Sequence, residues 1–131
     1  MSIELRVLVW SVLLGLVHIV VSSHAKSLQR GYRWTASARD ESLPPLNGVT
    51  GRLDRALGNY LETFTLFAAL VLVAEAAGVH TKLTEWGAYL YFGARVAYLP
   101  LYALGVPLVR SVVWNVAALG MLLFAVAILG A

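Results

Sequence analysis

The chain has 131 residues, of which 60% are hydrophobic and 13% are charged, and its net charge is +3. Soluble domains carry about 25% charged residues, so this composition excludes an ordinary soluble domain and indicates an integral membrane protein. The absence of cysteine excludes disulfides, thiolate metal sites and a protein thiol nucleophile. The modest net charge gives little support to nucleic-acid binding.

Four apolar segments predict four membrane-spanning helices within a single domain, residues 1–131. At roughly 20 residues per span, this length suits four spans with short connections. The predicted helices cover residues 3–23, 51–77, 83–104 and 108–130. The predicted fold class is therefore an all-α integral membrane bundle of four transmembrane helices.

The first predicted helix carries His18 deep within its apolar run. We interpret it as a histidine satisfied inside the bundle, because no cluster of metal-ligating residues surrounds it. A polar connection follows, with the pairs Pro44-Pro45 and Asn47-Gly48, which are typical of turns. The second helix is predicted to follow, with Thr50 as its N-cap.

Basic residues are concentrated around the first connection. The turn between the second and third helices has one basic residue, Lys82. The stretch around the first connection has six basic residues: Lys26, Arg30, Arg33, Arg39, Arg52 and Arg55. The positive-inside rule then predicts that the first connection is cytoplasmic. Both termini are predicted to lie on the opposite side of the membrane.

Polar residues form a row on one face of the second predicted helix. Spacings of three, four and three residues bring together Arg52, Arg55, Asn59 and Glu62. A similar stripe on the third helix consists of Arg95, Tyr98 and Tyr102. The fourth helix begins near Arg110 and Ser111. The predicted topology brings these groups to the cytoplasmic half of the membrane, where costly ionisable side chains indicate a functional site.

Such a site combines guanidiniums with one carboxylate, one carboxamide and two phenols. These groups suit a small zwitterion with several carboxylates and an amine. The same polar residues also have purely structural interpretations. Arg52 fits a lipid-headgroup contact equally well, and Arg95 with Glu62 could form an ion pair between helices. For Tyr98 and Tyr102, spacing alone favours interfacial aromatics.

The pattern R-x-x-R-A-x-x-N-x-x-E, formed here by Arg52, Arg55, Ala56, Asn59 and Glu62, resembles the signature of the MAPEG family. These are membrane-associated proteins in eicosanoid and glutathione metabolism. The segment Ala94–Tyr102, followed by Arg110-Ser111, is also similar to this family. The resemblance extends from about Arg52 to Asn115.

The resemblance implies a homotrimer that binds glutathione, as a co-substrate, between subunits. The residues implied to hold glutathione are Arg52, Arg55, Asn59, Glu62, Arg95, Tyr98 and Tyr102. Arg110 matches the arginine that stabilises the glutathione thiolate in family enzymes, and Ser111 stands beside it. For an additional arginine from the first connection, Arg30 and Arg33 are both candidates.

The implied function is an enzyme that conjugates glutathione to lipophilic electrophiles, reduces lipid hydroperoxides, or does both. Expected partners are glutathione, a lipophilic substrate, membrane lipids and the other subunits. The alternative is a non-catalytic lipid-binding protein similar to the five-lipoxygenase-activating branch, and a third is a structural membrane protein. The joint presence of Arg55, Asn59, Glu62, Tyr98 and Arg110 favours the enzyme, because a lipid carrier needs no such polar site.

Overall fold

The computed structural model describes all of residues 1–131, and every regular element in it is helical. The elements are α1 (Ile3–Arg30), α2 (Tyr32–Thr35), α3 (Gly48–Ala76), α4 (Lys82–Ala103) and α5 (Pro107–Leu129). Three of them, α1, α3 and α5, are long and apolar enough to cross a membrane, as expected of a multi-pass integral membrane protein. The structure therefore supports three of the four predicted spans by composition. The more polar α4 has 22 residues and includes Lys82, Glu85 and Arg95.

The first helix continues through Arg30 rather than ending near Ser23. Its 28 residues correspond to about 42 Å, more than the roughly 30 Å of a bilayer's hydrocarbon core. The apolar run thus marks the membrane-embedded part and not the end of the helix. The helix stops at Gly31, whose φ of 95° is readily adopted only by glycine.

The polar connection differs from the prediction in two respects. It contains the short helix α2, and α3 begins at Gly48 with Asn47 in the N-cap position. The predicted N-cap, Thr50, therefore lies inside α3. The side chain of Gln29 explains part of this arrangement, since it accepts a hydrogen bond from the Asn47 amide at 3.2 Å and donates to the Pro45 carbonyl at 3.3 Å.

The core lies where α3, α4 and α5 meet. Phe67 of α3 stacks on Tyr91 of α4 with ring centroids 4.0 Å apart, and Phe124 of α5 meets Phe67 edge-on at 5.8 Å. The Tyr91 hydroxyl pairs with Thr63 Oγ1 at 3.1 Å. Helices α3 and α4 each pack against all the other long helices, whereas the backbones of α1 and α5 do not approach each other closely. This packing fixes α3, α4 and α5 relative to one another.

A buried carboxylate joins α1 to α4 at the end of the bundle where α1 begins. Glu4 is only 3% exposed and accepts a hydrogen bond from the hydroxyl of Thr84. His80 Nδ1 lies 3.6 Å from Glu4 Oε1, and His80 Nε2 lies 3.5 Å from Glu75 Oε2. The cluster therefore connects α1, the end of α3 and the start of α4.

Replacing Thr84 with valine is expected to lower the free energy of unfolding by about 1–3 kcal/mol at nearly constant side-chain volume. The buried Glu4 carboxylate loses its hydroxyl donor, and the Thr81 amide loses the acceptor that caps α4. The measurement is unfolding of the detergent-solubilised protein by sodium dodecyl sulfate, followed by circular dichroism. The control is Thr65→Val, whose exposed hydroxyl donates only to the Leu61 carbonyl. Equal losses in both variants would contradict the role assigned to the Glu4–Thr84 contact.

Candidate functional site

Polar side chains from three helices converge at the opposite end of the bundle. The first turns of α3 lie beside the last turn of α4 and the first turn of α5, because α4 and α5 are joined there by the tight turn after Ala103. Gly105 in this turn has a φ of 74°, and a Cβ at that position would lie 3.6 Å from Arg52 Nε. Glycine thus permits the turn through its positive φ, while a Cβ at this position would make only an ordinary contact with Arg52.

An arginine-lined cavity of about 230 Å³ lies at this junction. Arg52 Nε donates to the Ala103 carbonyl at 2.9 Å, where a cation also complements the C-terminal end of α4. Arg55 Nε donates to the Tyr102 hydroxyl at 3.2 Å, and Arg110 Cζ lies 4.9 Å from the Tyr102 ring. No carboxylate lines this cavity. Three guanidiniums without an acidic partner favour an anionic ligand.

A second cavity, of about 240 Å³, adjoins the first through Arg110, which lines both. The rest of its lining comes from Asn59, Tyr98, Ser111, Trp114 and Asn115. Apart from Arg110 these side chains are uncharged, and most of them carry hydrogen-bonding groups. The two cavities together therefore offer an anion-binding part and a neutral polar part, with one guanidinium between them.

Arg95 lies behind the cavity wall and does not line either cavity. It is fully buried; its Nη1 donates to Asn59 Oδ1 at 2.7 Å, and its Cζ lies 4.0 Å from the Tyr98 ring. Its Nε and Nη2 have no hydrogen-bond partner within the chain. The interpretation of Arg95 as the ion-pair partner of Glu62 is wrong, because the amide of Asn59 takes that place. Arg95 instead holds two residues of the cavity wall, Asn59 and Tyr98.

Glu62 is exposed and lines neither cavity, although it shares a helix with Arg55 and Asn59. Neither loop arginine reaches the cavities. Arg30 donates to the Pro44 carbonyl at 3.0 Å and stacks on Trp34, while Arg33 is exposed. Within one chain, the structure thus brings together Arg52, Arg55, Asn59, Tyr98, Tyr102, Arg110 and Ser111, with Arg95 behind them.

His18 is buried, as expected for a bundle histidine, but the expectation that its ring nitrogens are satisfied is wrong. Neither Nδ1 nor Nε2 has a hydrogen-bond partner. The ring stacks on that of Tyr60, with centroids 4.6 Å apart. Within the chain, packing against the Tyr60 ring therefore holds this histidine.

Two residues of the second cavity, Trp114 and Asn115, were not among the predicted site residues. They follow Arg110 and Ser111 at a spacing of four, which places all of them on one face of α5. That spacing was visible in the sequence. What was not visible is that α5 turns this face towards Asn59 and Tyr98.

A separate apolar groove of about 510 Å³ lies farther along α3 and α5. It begins at Leu66 and Ala118, about 10 Å from Asn59 and about 4.5 Å from Asn115 at the rise of an α-helix. All its lining residues are hydrophobic. A polar site and an open apolar groove therefore share the same pair of helices.

Comparison with protein families matches residues 7–130 of the chain to the MAPEG family. The match covers nearly the whole chain, including every helix of the site. Comparisons with curated proteins and with solved structures give no match.

Proposed function

Because the chain belongs to the MAPEG family, we propose that it is a membrane enzyme that uses glutathione as co-substrate. The proposed reactions are conjugation of glutathione to lipophilic electrophiles and reduction of lipid hydroperoxides. The observation that carries the proposal is the convergence of Arg52, Arg55 and Arg110 on one cavity that no carboxylate lines.

Glutathione is a tripeptide with two carboxylates, one amine and a thiol, and this donor set fits it. The carboxylates would be held by the guanidiniums of Arg52 and Arg55, which form strong charge-assisted hydrogen bonds. Asn59 Nδ2 and Asn115 Oδ1, the carboxamide atoms without a partner in the chain, are available to the peptide groups. Tyr98 and Tyr102 would complete the wall, with Arg95 positioning Asn59 and Tyr98 from behind.

Arg110 is proposed to stabilise the glutathione thiolate, with Ser111 as a neighbouring hydrogen-bond donor. A guanidinium beside a thiol lowers the thiol pKa and thereby increases the nucleophilic fraction at neutral pH. Arg110 lies between the two cavities, so a thiol beside it would face the polar cavity and the apolar groove beyond. The chain has no cysteine of its own, and the sulfur must therefore come with the co-substrate.

We further propose four spans, a homotrimer, and a cytoplasmic location for the site. Helix α4 packs along α5 and has almost the same length, 22 against 23 residues, which supports α4 as the fourth span. The exposed Glu62, which lines neither cavity within one chain, supports a site completed by another subunit. The sidedness follows from the basic residues near the first connection.

The lipophilic substrate is proposed to enter from the bilayer along the groove at Leu66 and Ala118. The same groove would also serve the alternative function, binding of lipids without catalysis. The two functions differ in one observable. Only the enzyme forms a product from glutathione and an electrophile, whereas both bind lipid.

Titration of glutathione into the detergent-solubilised protein by calorimetry tests this function. We expect saturable binding that Arg55→Ala weakens about ten- to a hundredfold, because one charge-assisted contact is lost. The control is Arg6→Ala, which removes an exposed arginine at the other end of α1. Absence of saturable binding by the folded wild type would refute the glutathione site. If Arg6→Ala weakens binding as much as Arg55→Ala does, the binding is nonspecific charge attraction.

A further inference from the structure

A third polar cavity, of about 140 Å³, lies between α1, α2 and α3. Its contact with α3 is Leu57, which is two residues and therefore about 200° around the helix from Asn59. The cavity thus opens on the face of α3 directed away from the proposed glutathione site. None of its lining residues belongs to that site.

Two buried polar atoms at this cavity have no hydrogen-bond partner. Ser22 is fully buried and its Oγ is unpartnered, and the same holds for Nε1 of Trp34. Both residues line the cavity. Buried polar groups in proteins are almost always paired. Because the indole N–H can only donate, its missing partner is an acceptor.

The charges at this cavity are positive. Lys26 and Arg39 line it, and Lys26 Nζ lies 2.6 Å from Asp54 Oδ1, so that one of these two cations is neutralised. The Arg39 guanidinium donates to the Thr35 carbonyl, from Nη2 at 3.1 Å and from Nε at 3.4 Å, and it stacks on Trp34 with its Cζ 4.8 Å from the ring centroid. It has no carboxylate partner within the chain. A positive charge beside unpartnered donors favours a ligand that is anionic and rich in acceptors, such as a phosphate group.

An apolar groove extends from this cavity towards the middle of the bundle. Ile19 lines both, and the groove continues between Leu16 of α1 and the pair Leu61 and Phe64 of α3, with a volume of about 170 Å³. From Lys26 to Ser11 the combined site follows α1 for about 22 Å. A free phosphate would fill only the polar end. A phospholipid fills both.

We propose that the groove between α1 and α3 binds one anionic phospholipid, with its phosphate at Ser22, Trp34 and Arg39 and an acyl chain along Ile19 and Phe64. The bilayer supplies this ligand at high local concentration, and basic pockets beside membrane helices are suited to anionic headgroups. The phosphate would connect α1 to the loop helix α2. This site is separate from the proposed glutathione site and does not depend on it.

Native mass spectrometry of the full-length protein in detergent, with added dioleoylphosphatidylglycerol or dioleoylphosphatidylcholine, tests the proposal. We expect one phosphatidylglycerol per chain to be retained at least about tenfold more tightly than phosphatidylcholine. Trp34→Phe keeps a ring between Arg30 and Arg39 but removes the donor. Combined with Ser22→Ala, it is expected to weaken retention of phosphatidylglycerol about tenfold or more.

Arg39→Gln, which removes the cation at the cavity, is likewise expected to weaken retention of phosphatidylglycerol. The matched controls are Trp86→Phe, at an exposed tryptophan, and Arg6→Gln, at an exposed arginine of α1. Both controls are expected to retain phosphatidylglycerol like the wild type, and circular dichroism verifies that every variant keeps its helix content. Equal retention of the two lipids would overturn the proposal. Unchanged retention in a folded Ser22→Ala/Trp34→Phe variant would do the same.

Two further measurements exclude other occupants. Full displacement of phosphatidylglycerol by millimolar inorganic phosphate would assign the cavity to a free anion and overturn the lipid. In this cysteine-free chain, Leu57→Cys reports on proximity to a second copy. A disulfide-linked dimer formed by this variant in the membrane would show that another subunit covers the groove, which also overturns the proposal. The expected result is that no disulfide cross-link forms.

Discussion

Arg110→Ala is expected to lower the rate of glutathione conjugation about 10²- to 10³-fold while weakening glutathione binding much less. Arg110 borders both cavities, and its proposed contact is with the thiolate, the charge that reacts. Removal of one donor aimed at a reacting charge typically costs this much in rate. Arg55→Ala is expected to weaken glutathione binding more than it lowers the rate of conjugation, because the proposed contact of Arg55 is with a carboxylate that does not react. The measurement is initial-rate kinetics with 1-chloro-2,4-dinitrobenzene beside calorimetry of glutathione binding.

The pH dependence of the rate separates this role from a structural one. A guanidinium lowers the pKa of a bound thiol, so the wild type should remain active well below the ordinary thiol pKa of about 8.5. Without Arg110 the thiol pKa rises, and the rate should increase with pH up to about that value. The deficit of Arg110→Ala is therefore expected to be largest near pH 6.5 and smaller near pH 9.

Arg110→Lys and S-methylglutathione serve as controls for the same experiment. Lysine keeps the positive charge without the planar fork and should restore part of the rate. S-methylglutathione has no ionisable thiol, so its binding should be nearly the same in the wild type and in Arg110→Ala. An Arg110→Ala variant with the pH profile of the wild type would show that Arg110 does not act on the thiol. Loss of binding of both glutathione and S-methylglutathione would show that Arg110 positions the tripeptide or supports the fold.

The polar face of α3 illustrates what the sequence can predict. Helical periodicity fixes the direction of side chains around one axis, and for that reason Arg52, Arg55 and Asn59 lie together as expected. Periodicity does not state which part of a face meets another helix. Glu62 shares the face but lies outside both cavities. Its place in a glutathione site stays a prediction that involves a second subunit.

Arg95 shows a second limit. Its stripe on α4 was predicted from spacing, and in the structure Tyr98 packs against Arg95 while Tyr102 packs against Tyr98. Its depth behind the wall depends on how α4 packs against α3, and its partner, Asn59, is 36 positions away in the chain. The predicted end of α1 was wrong for a different reason. Hydropathy indicates which residues can lie in the membrane, whereas the helix continues beyond the apolar run to Arg30.

The spacing of α4 and α5, which carries Tyr98 and Arg110 into one site, depends on two glycines that face each other. A Cβ at Gly120 would lie 2.6 Å from the Gly87 carbonyl oxygen and 2.9 Å from the Tyr91 amide nitrogen. A Cβ at Gly87 would lie 2.6 Å from the Gly120 carbonyl oxygen. These neighbours are backbone atoms, so no rotamer change can relieve the overlap. Small residues at such crossings let membrane helices approach closely.

Gly120→Ala is therefore expected to destabilise the bundle by about 1–3 kcal/mol, because the two helices must move apart. The control is Gly93→Ala on α4, where an added Cβ meets nothing within 4 Å. Alanine has the higher helix propensity, so this control should be neutral or more stable by up to about 1 kcal/mol. Unfolding by sodium dodecyl sulfate measures both.

Since α4 and α5 hold opposite walls of the second cavity, Gly120→Ala should also weaken glutathione binding, whereas Gly93→Ala should not. If Gly120→Ala lowers stability and Gly93→Ala does not, but both bind glutathione equally well, the crossing supports the fold and not the site.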